Sequence, residues 1–203
     1  MNIAILGATG LFGKALVKSL SDDTDYHLTL IARHAKSEYQ YNDRISVIDA
    51  DATDIDTLKK ALTGTDLVYC AISGESLPVV AANLVKVMPE TGITRLLFMG
   101  AVGIYNEIPA EMDGDDNIDN EPAQIPNRDA VDIVEASNLN YTVLRPGYLR
   151  EGNPDDYVLT VKGEAAKGYI STIPSVVEFA KKLIADEKLY SRESVSITKD
   201  MEE

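Results

Sequence analysis

The sequence predicts an α/β fold: a doubly wound, mainly parallel sheet with helices on both faces. Two observations predict it. Short β-branched runs alternate with longer amphipathic stretches, and the first run passes through a glycine-rich turn straight into helical spacing. With 203 residues, 45% of them hydrophobic, the chain can bury a sizeable core and falls within the range of one large domain spanning 1–203.

The strands read, in order, as "NIAILG", "HLTLIAR", "ISVIDAD", "LVYCAI", "RLLFMGA", "YTVLRPG" and "SVSITK". The first is almost continuously apolar, which suits a strand buried on both faces. Helical spacing runs from Phe12 to Leu20, Ile55 to Leu62, Leu77 to Met88, Arg128 to Ser137 and Pro174 to Ala185. Two starts are legible. "TDIDTLKKAL" offers Thr53 as cap, with Asp54 and Asp56 placed favourably against the helix dipole. "TIPSVVEFAKKL" sets Pro174 at a start and Lys181 and Lys182 later. The stretch "YLREGNPDDYVLTVKGEAAKGYI" reads as a hairpin region. Residues 106–127 are rich in acids and proline and contain no lysine or arginine, which fits either a solvated loop or a lid over a site.

In the opening stretch, Gly7, Gly10 and Gly13 sit between the first strand and a helix carrying Leu11, Ala15, Leu16 and Leu20. The first N–H groups of such a helix lack partners and its dipole is positive there, so the turn favours a phosphate. Glycine permits the tight turn and a close approach of backbone to pyrophosphate. The spacing is G-x-x-G-x-x-G, and no lysine and hydroxyl pair ends the turn, which argues against the P-loop of a nucleotide triphosphatase. A nucleotide cradle in a Rossmann-like fold is the expectation, and a purely structural turn is the alternative. The second strand ends in Arg33, followed by His34 and Lys36, with no carboxylate until Glu38. An acidic residue here would bind a ribose 2′-OH, whereas an arginine accommodates a 2′-phosphate, so NADP(H) is preferred over NAD(H). Solvent-facing roles for Arg33, His34 and His27 are the alternative.

A formal net charge of −14 repels polyphosphate and anionic lipid, so neither nucleic acid nor a membrane is expected as partner. The single cysteine, Cys70, lies in an apolar run and excludes an intramolecular disulfide. With no basic leader and no apolar segment near the roughly 20 residues of a membrane helix, a cytoplasmic protein is expected. No cluster has metal-ligand spacing, and no metal is expected. No heptad seam is evident, and the oligomeric state is unread.

"GATGLFGKAL", "DATD", "VYCAISG", "LLFMGAVGIY" and "SNLNYTVLRPGYL" resemble the NmrA-like, atypical short-chain dehydrogenase/reductase group of NAD(P)-binding proteins. That group includes flavin and biliverdin reductase-like enzymes, quinone reductase-like enzymes and redox-sensing proteins. The resemblance covers nearly the whole chain and is most specific at the glycine turn and "TVLRPG". It implies that Gly7, Thr9, Gly10, Leu11 and Phe12 line the pyrophosphate and that Arg33 meets the adenosine ribose. It also implies Asp51 and Ala52 beside the adenine, Ala71, Ile72 and Ser73 along the ribose, and Pro146, Gly147 and Tyr148 near the nicotinamide. Asp51 has an alternative role as a helix-capping carboxylate.

The wider superfamily carries a serine after the fifth strand and a Tyr-x-x-x-Lys pair, because ketone reduction needs a proton donor near the carbonyl. Here Ala101 stands near the serine position, and counting back from "LRP" aligns Ala123 with the tyrosine and Asn127 with the lysine. Arg128 lies beside that position but stays protonated. Tyr105, Asn127 and Arg128 are the candidates for a substrate pocket between loops at about 104–127 and 148–170; packing or capping is the alternative for Tyr105. The expected function is an NADPH-dependent reductase passing hydride to a flavin, quinone or similar electron-poor acceptor. The alternative is a non-catalytic NADP(H)-binding regulator that meets a protein partner through its acidic segment. An epimerase or dehydratase reading is weakened by the same missing residues.

Overall fold

The computed structural model describes residues 1–112 and 114–200. Six parallel strands come first in the chain: β1 (Asn2–Leu6), β2 (His27–Ala32), β3 (Ile45–Asp49), β4 (Leu67–Cys70), β5 (Arg95–Met99) and β6 (Asn140–Pro146). They are followed by β7 (Tyr148–Arg150), β8 (Val158–Val161), β9 (Ile170–Thr172) and β10 (Glu193–Thr198). One sheet has the order β3-β2-β1-β4-β5-β6-β10-β8, with β8 antiparallel to β10 and every other pairing parallel. The chain reverses direction across the sheet between β1 and β4, which opens a crevice at their carboxyl ends.

The helices are α1 (Leu11–Asp23), α2 (Ile55–Ala61), α3 (Leu77–Glu90), α4 (Ile125–Glu135) and α5 (Ile173–Ala185). Alternation along the strands feeds two cores. Ala4 and Leu6 of β1 face α2, α3 and α4, whereas Ile3 and Ile5 face α1 and α5. Each core is built of apolar side chains, such as Leu58, Leu84 and Val131 on one face and Leu16 and Phe179 on the other. At the amino end of the strands, Arg95 is buried and donates to Thr142 Oγ1 at 2.8 Å, and its burial lowers its pKa to about 10.

All seven strands and five helices read from the sequence are present, with α4 beginning three residues earlier than the spacing from Arg128 indicated. Two local expectations are corrected. Thr53 is not the cap of α2: its N–H and hydroxyl both donate to Asp51 Oδ1, at 2.9 and 2.8 Å. Asp54 caps instead, accepting from the N–H groups of Asp56 and Thr57 at 3.1 Å each. Residues 148–170 form no hairpin. β7 pairs in parallel with β9, and β8 leaves to pair with β10. Tight hairpin pairing joins antiparallel neighbours, and here each strand finds its partner outside the segment's own turn.

No helix among the described residues is long and apolar enough to cross a membrane. Cys70 ends β4 fully buried, and burial pushes its thiol up to about 12. Below that pH the native protein holds it as an unreactive thiol. Iodoacetamide at pH 8 is therefore expected to leave the native protein unmodified and to label Cys70 completely in denaturant. Rapid native labelling would contradict this burial.

Candidate functional site

The crevice at the reversal point holds a cleft of about 470 Å³. Its first wall is the turn from β1 to α1. Gly7 adopts φ +75, and a Cβ there would lie 2.8 Å from the Ala71 carbonyl oxygen, so only glycine serves without strain. Thr9 and Gly10 complete this wall, and Gly10 caps α1 with no side-chain hydrogen bond. Ser76 likewise stands before α3, on the opposite wall, with no side-chain cap bond. The N-terminus of α1 thus turns an open end toward the cleft, where its partial positive charge favours an anion. The first N–H groups of α3 are already used, Leu77 N by the Gly74 carbonyl and Val79 N and Val80 N by that of Ser76, and Pro78 has none. The starts of α2 and α5 are closed by the side chains of Asp54 and Thr172.

The carboxyl ends of β2, β3 and β4 supply the remaining walls: Arg33, then Asp51 and Ala52, then Ala71, Ile72 and Ser73. Arg33 is exposed, and its positive charge helps lower the Asp51 pKa, although the main cause is the backbone hydrogen bond from Thr53. Asp51 is therefore an acceptor tied into its own turn and not a helix cap. The floor is apolar, formed by Ile31, Ala50 and Val80. An open helix end beside a polar rim and an apolar floor fits a dinucleotide, whose pyrophosphate needs N–H donors and whose base needs a flat apolar slot.

The profile of the NAD(P)H-binding family matches residues 7–187. The chain belongs to that family. Among solved structures, a Rossmann-fold NAD(P)-binding family protein from Shigella flexneri is 30% identical, with a TM-score of 0.83 over 98% of this chain and 93% of that one. A short-chain dehydrogenase/reductase from Veillonella parvula, solved in complex with NADP, is 27% identical, with a TM-score of 0.86 over 98% and 94%. An uncharacterized sugar epimerase of Bacillus subtilis, YhfK, is 25% identical over 98% of this chain and 94% of its own.

Within this NAD(P)H-binding fold, the residues singled out for the cofactor in the sequence divide between the cleft and its surroundings. Gly7, Thr9, Gly10, Arg33, Asp51, Ala52, Ala71, Ile72 and Ser73 line the cleft. His34 is exposed beyond the end of β2 and does not line it. Leu11 and Phe12 open α1, Leu11 exposed and Phe12 packed against the α1 and α5 core. Pro146, Gly147 and Tyr148 lie further along the carboxyl edge, beyond β5. Thr53, Ser76 and Val80 line the cleft without having been singled out for it. Their positions in the first turns after β3 and β4 are the signal that points to them.

The substrate-side candidates are engaged in structure. The Tyr105 hydroxyl donates to Glu135 Oε1 at 2.7 Å, and burial raises its pKa. Arg128 Nε donates to both carboxylate oxygens of Asp132, and one terminal nitrogen donates to the Ile104 carbonyl at 3.1 Å. Asn127 donates to Gln124 Oε1 at 3.0 Å. The acidic segment is packed rather than free. Ile108 is buried with Val102 and Ala166, and the Tyr169 hydroxyl bonds to Asp116. Among the described residues no group of three His, Cys, Asp or Glu is arranged to hold a metal ion.

Glu107 ties the two loops together. It forms a buried ion pair with Arg145 of β6, accepts from Gly163 N at 2.6 Å, and its carbonyl accepts from Ala166 N at 2.8 Å. Removing one partner of a buried pair strands the other charge, at about 3–5 kcal/mol. Glu107→Ala is expected to lose that much stability in urea denaturation, and a loss below about 1 kcal/mol would contradict this role.

Proposed function

We propose that the protein is an NADPH-dependent reductase that passes hydride to a flavin, quinone or similarly electron-poor acceptor. The observation that carries the reading is the cleft itself, with an exposed arginine at the end of β2 and no carboxylate on β2 to meet a ribose 2′-OH. In this reading Arg33 binds the 2′-phosphate, and the open end of α1 holds the pyrophosphate. Asp51 and Ala52 flank the adenine, Ala71, Ile72 and Ser73 follow the ribose, and Pro146, Gly147 and Tyr148 border the nicotinamide. The NADP complex of the Veillonella relative supports the choice of nucleotide.

The reduced nucleotide would supply the hydride, and the chain orients the reactants and excludes water. Ala123 and Asn127 stand where the resemblance puts the Tyr-x-x-x-Lys pair, and Tyr105 and Arg128 are bonded to Glu135 and Asp132. An acceptor that takes hydride without an enzymic acid fits this set better than a ketone does, and the same reasoning weighs against sugar epimerisation.

NADPH is expected to bind at least tenfold more tightly than NADH in calorimetry, since a charge-assisted bond to arginine contributes about 1.5–3 kcal/mol. Arg33→Asp is expected to abolish that preference, and equal binding of both nucleotides by the unaltered protein would contradict it. NADPH consumption with a panel of flavins and quinones tests the reaction. Intact nucleotide binding without turnover on any of them would replace this reading with the non-catalytic regulator.

A further inference from the structure

The chain has seven arginines. Five are committed to the protein's own acceptors: Arg44, Arg95, Arg128, Arg145 and Arg192. Among the described residues, Arg33 and Arg150 make neither a hydrogen bond nor an ion pair through their guanidinium groups. Arg33 lies in the dinucleotide cleft. Arg150 stands further along the same carboxyl edge, on the short strand β7 that follows β6 after one residue.

Arg150 is nonetheless held in place. Its guanidinium carbon lies 4.0 Å from the centre of the Tyr148 ring, two residues back on the same face of β7. Tyr148 in turn stacks on Tyr169, with ring centres 6.0 Å apart and planes 29° from parallel. The Tyr169 hydroxyl is bonded to Asp116, and Tyr148 N donates to the Tyr169 carbonyl at 2.8 Å. A Cβ at Gly147 would fall 1.8 Å from that carbonyl, so the close seating of β7 on β9 depends on glycine. The stack orients the guanidinium plane while its N–H donors stay free, the arrangement suited to a two-pronged bond with an oxyanion. Tyr148 is itself 48% exposed, so the pair stands at the surface where a ligand reaches it. A net charge of −14 repels anions elsewhere, so a fixed free arginine gives an anionic ligand a defined docking point.

We propose that Arg150, held on the Tyr148 ring, is the acceptor-recognition residue: its guanidinium binds a carboxylate or phosphate carried on the acceptor. The proposal rests on the reductase reading for the identity of the ligand as an acceptor.

The test measures binding to the full-length protein saturated with NADP+, so no turnover is needed. Two matched pairs serve as probes: FMN against riboflavin for phosphate, and a naphthoquinone carboxylic acid against its methyl ester for carboxylate. The anionic member of at least one pair is expected to bind about tenfold more tightly. Arg150→Gln is expected to erase that preference without weakening NADP+ binding, and Arg150→Lys to restore part of it. Absence of any charge preference in the unaltered protein, or a preference that survives in Arg150→Gln, overturns the proposal. NADPH oxidation is followed separately. A charge preference that depends on Arg150 in a protein that never oxidises NADPH removes the reductase reading and leaves the anion site standing.

Discussion

The rest of the structure depends on a backbone-to-backbone contact at the first strand-to-helix turn. Gly13, in the first turn of α1, lies so close to the Gly7 carbonyl oxygen that a Cβ would fall 2.2 Å from it. Any side chain there would push α1 off the end of β1. With the helix seated this closely, its uncapped end meets the end of β4, where Ala71 crowds Gly7. The cleft is the space left between these two strand ends once the chain has turned outward on either side. Cofactor binding and core packing therefore share one constraint.

The far end of the sheet is built differently. There it continues into β10 and β8, and α5 packs on one face of β10, where Val195 and Ile197 share a core with Phe179. Loops lie toward the other face, where the Tyr105 hydroxyl meets Ser194, and polar bonds hold them. Glu107 neutralises the buried Arg145, Asn117 both accepts from and donates to the backbone of Ile108, and Tyr169 reaches Asp116. Such bonds set direction as well as adding stability, which is how an irregular segment can keep a stack such as Arg150 on Tyr148 in one geometry.

What was legible in the sequence follows from the range of the interactions concerned. Strand and helix periodicity is written into neighbouring residues, so the αβ alternation, the glycine turn and the strand-end positions of Arg33, Asp51 and Ala71 were all readable. The cap at Asp54 was missed by one residue because Asp51 had already claimed Thr53, a contact between side chains that propensity does not register. The pairing of β7 with β9 was not readable either, since it depends on Ser171 accepting from Gly147 N across 24 residues. Likewise the commitment of Tyr105 to Glu135 joins residues 30 apart, on a loop and a helix that only the folded sheet brings together.

The cleft between the ends of β1, β2, β3 and β4 is where a dinucleotide is expected to bind. Amide hydrogen exchange with and without saturating NADP+ tests it most directly, because it reads the location of binding and not only its strength. Added protection is expected at residues 7–13, 51–53 and 71–76, with little change at the amino ends of the strands around Arg95. No added protection in those segments, or protection confined to another face, would contradict it.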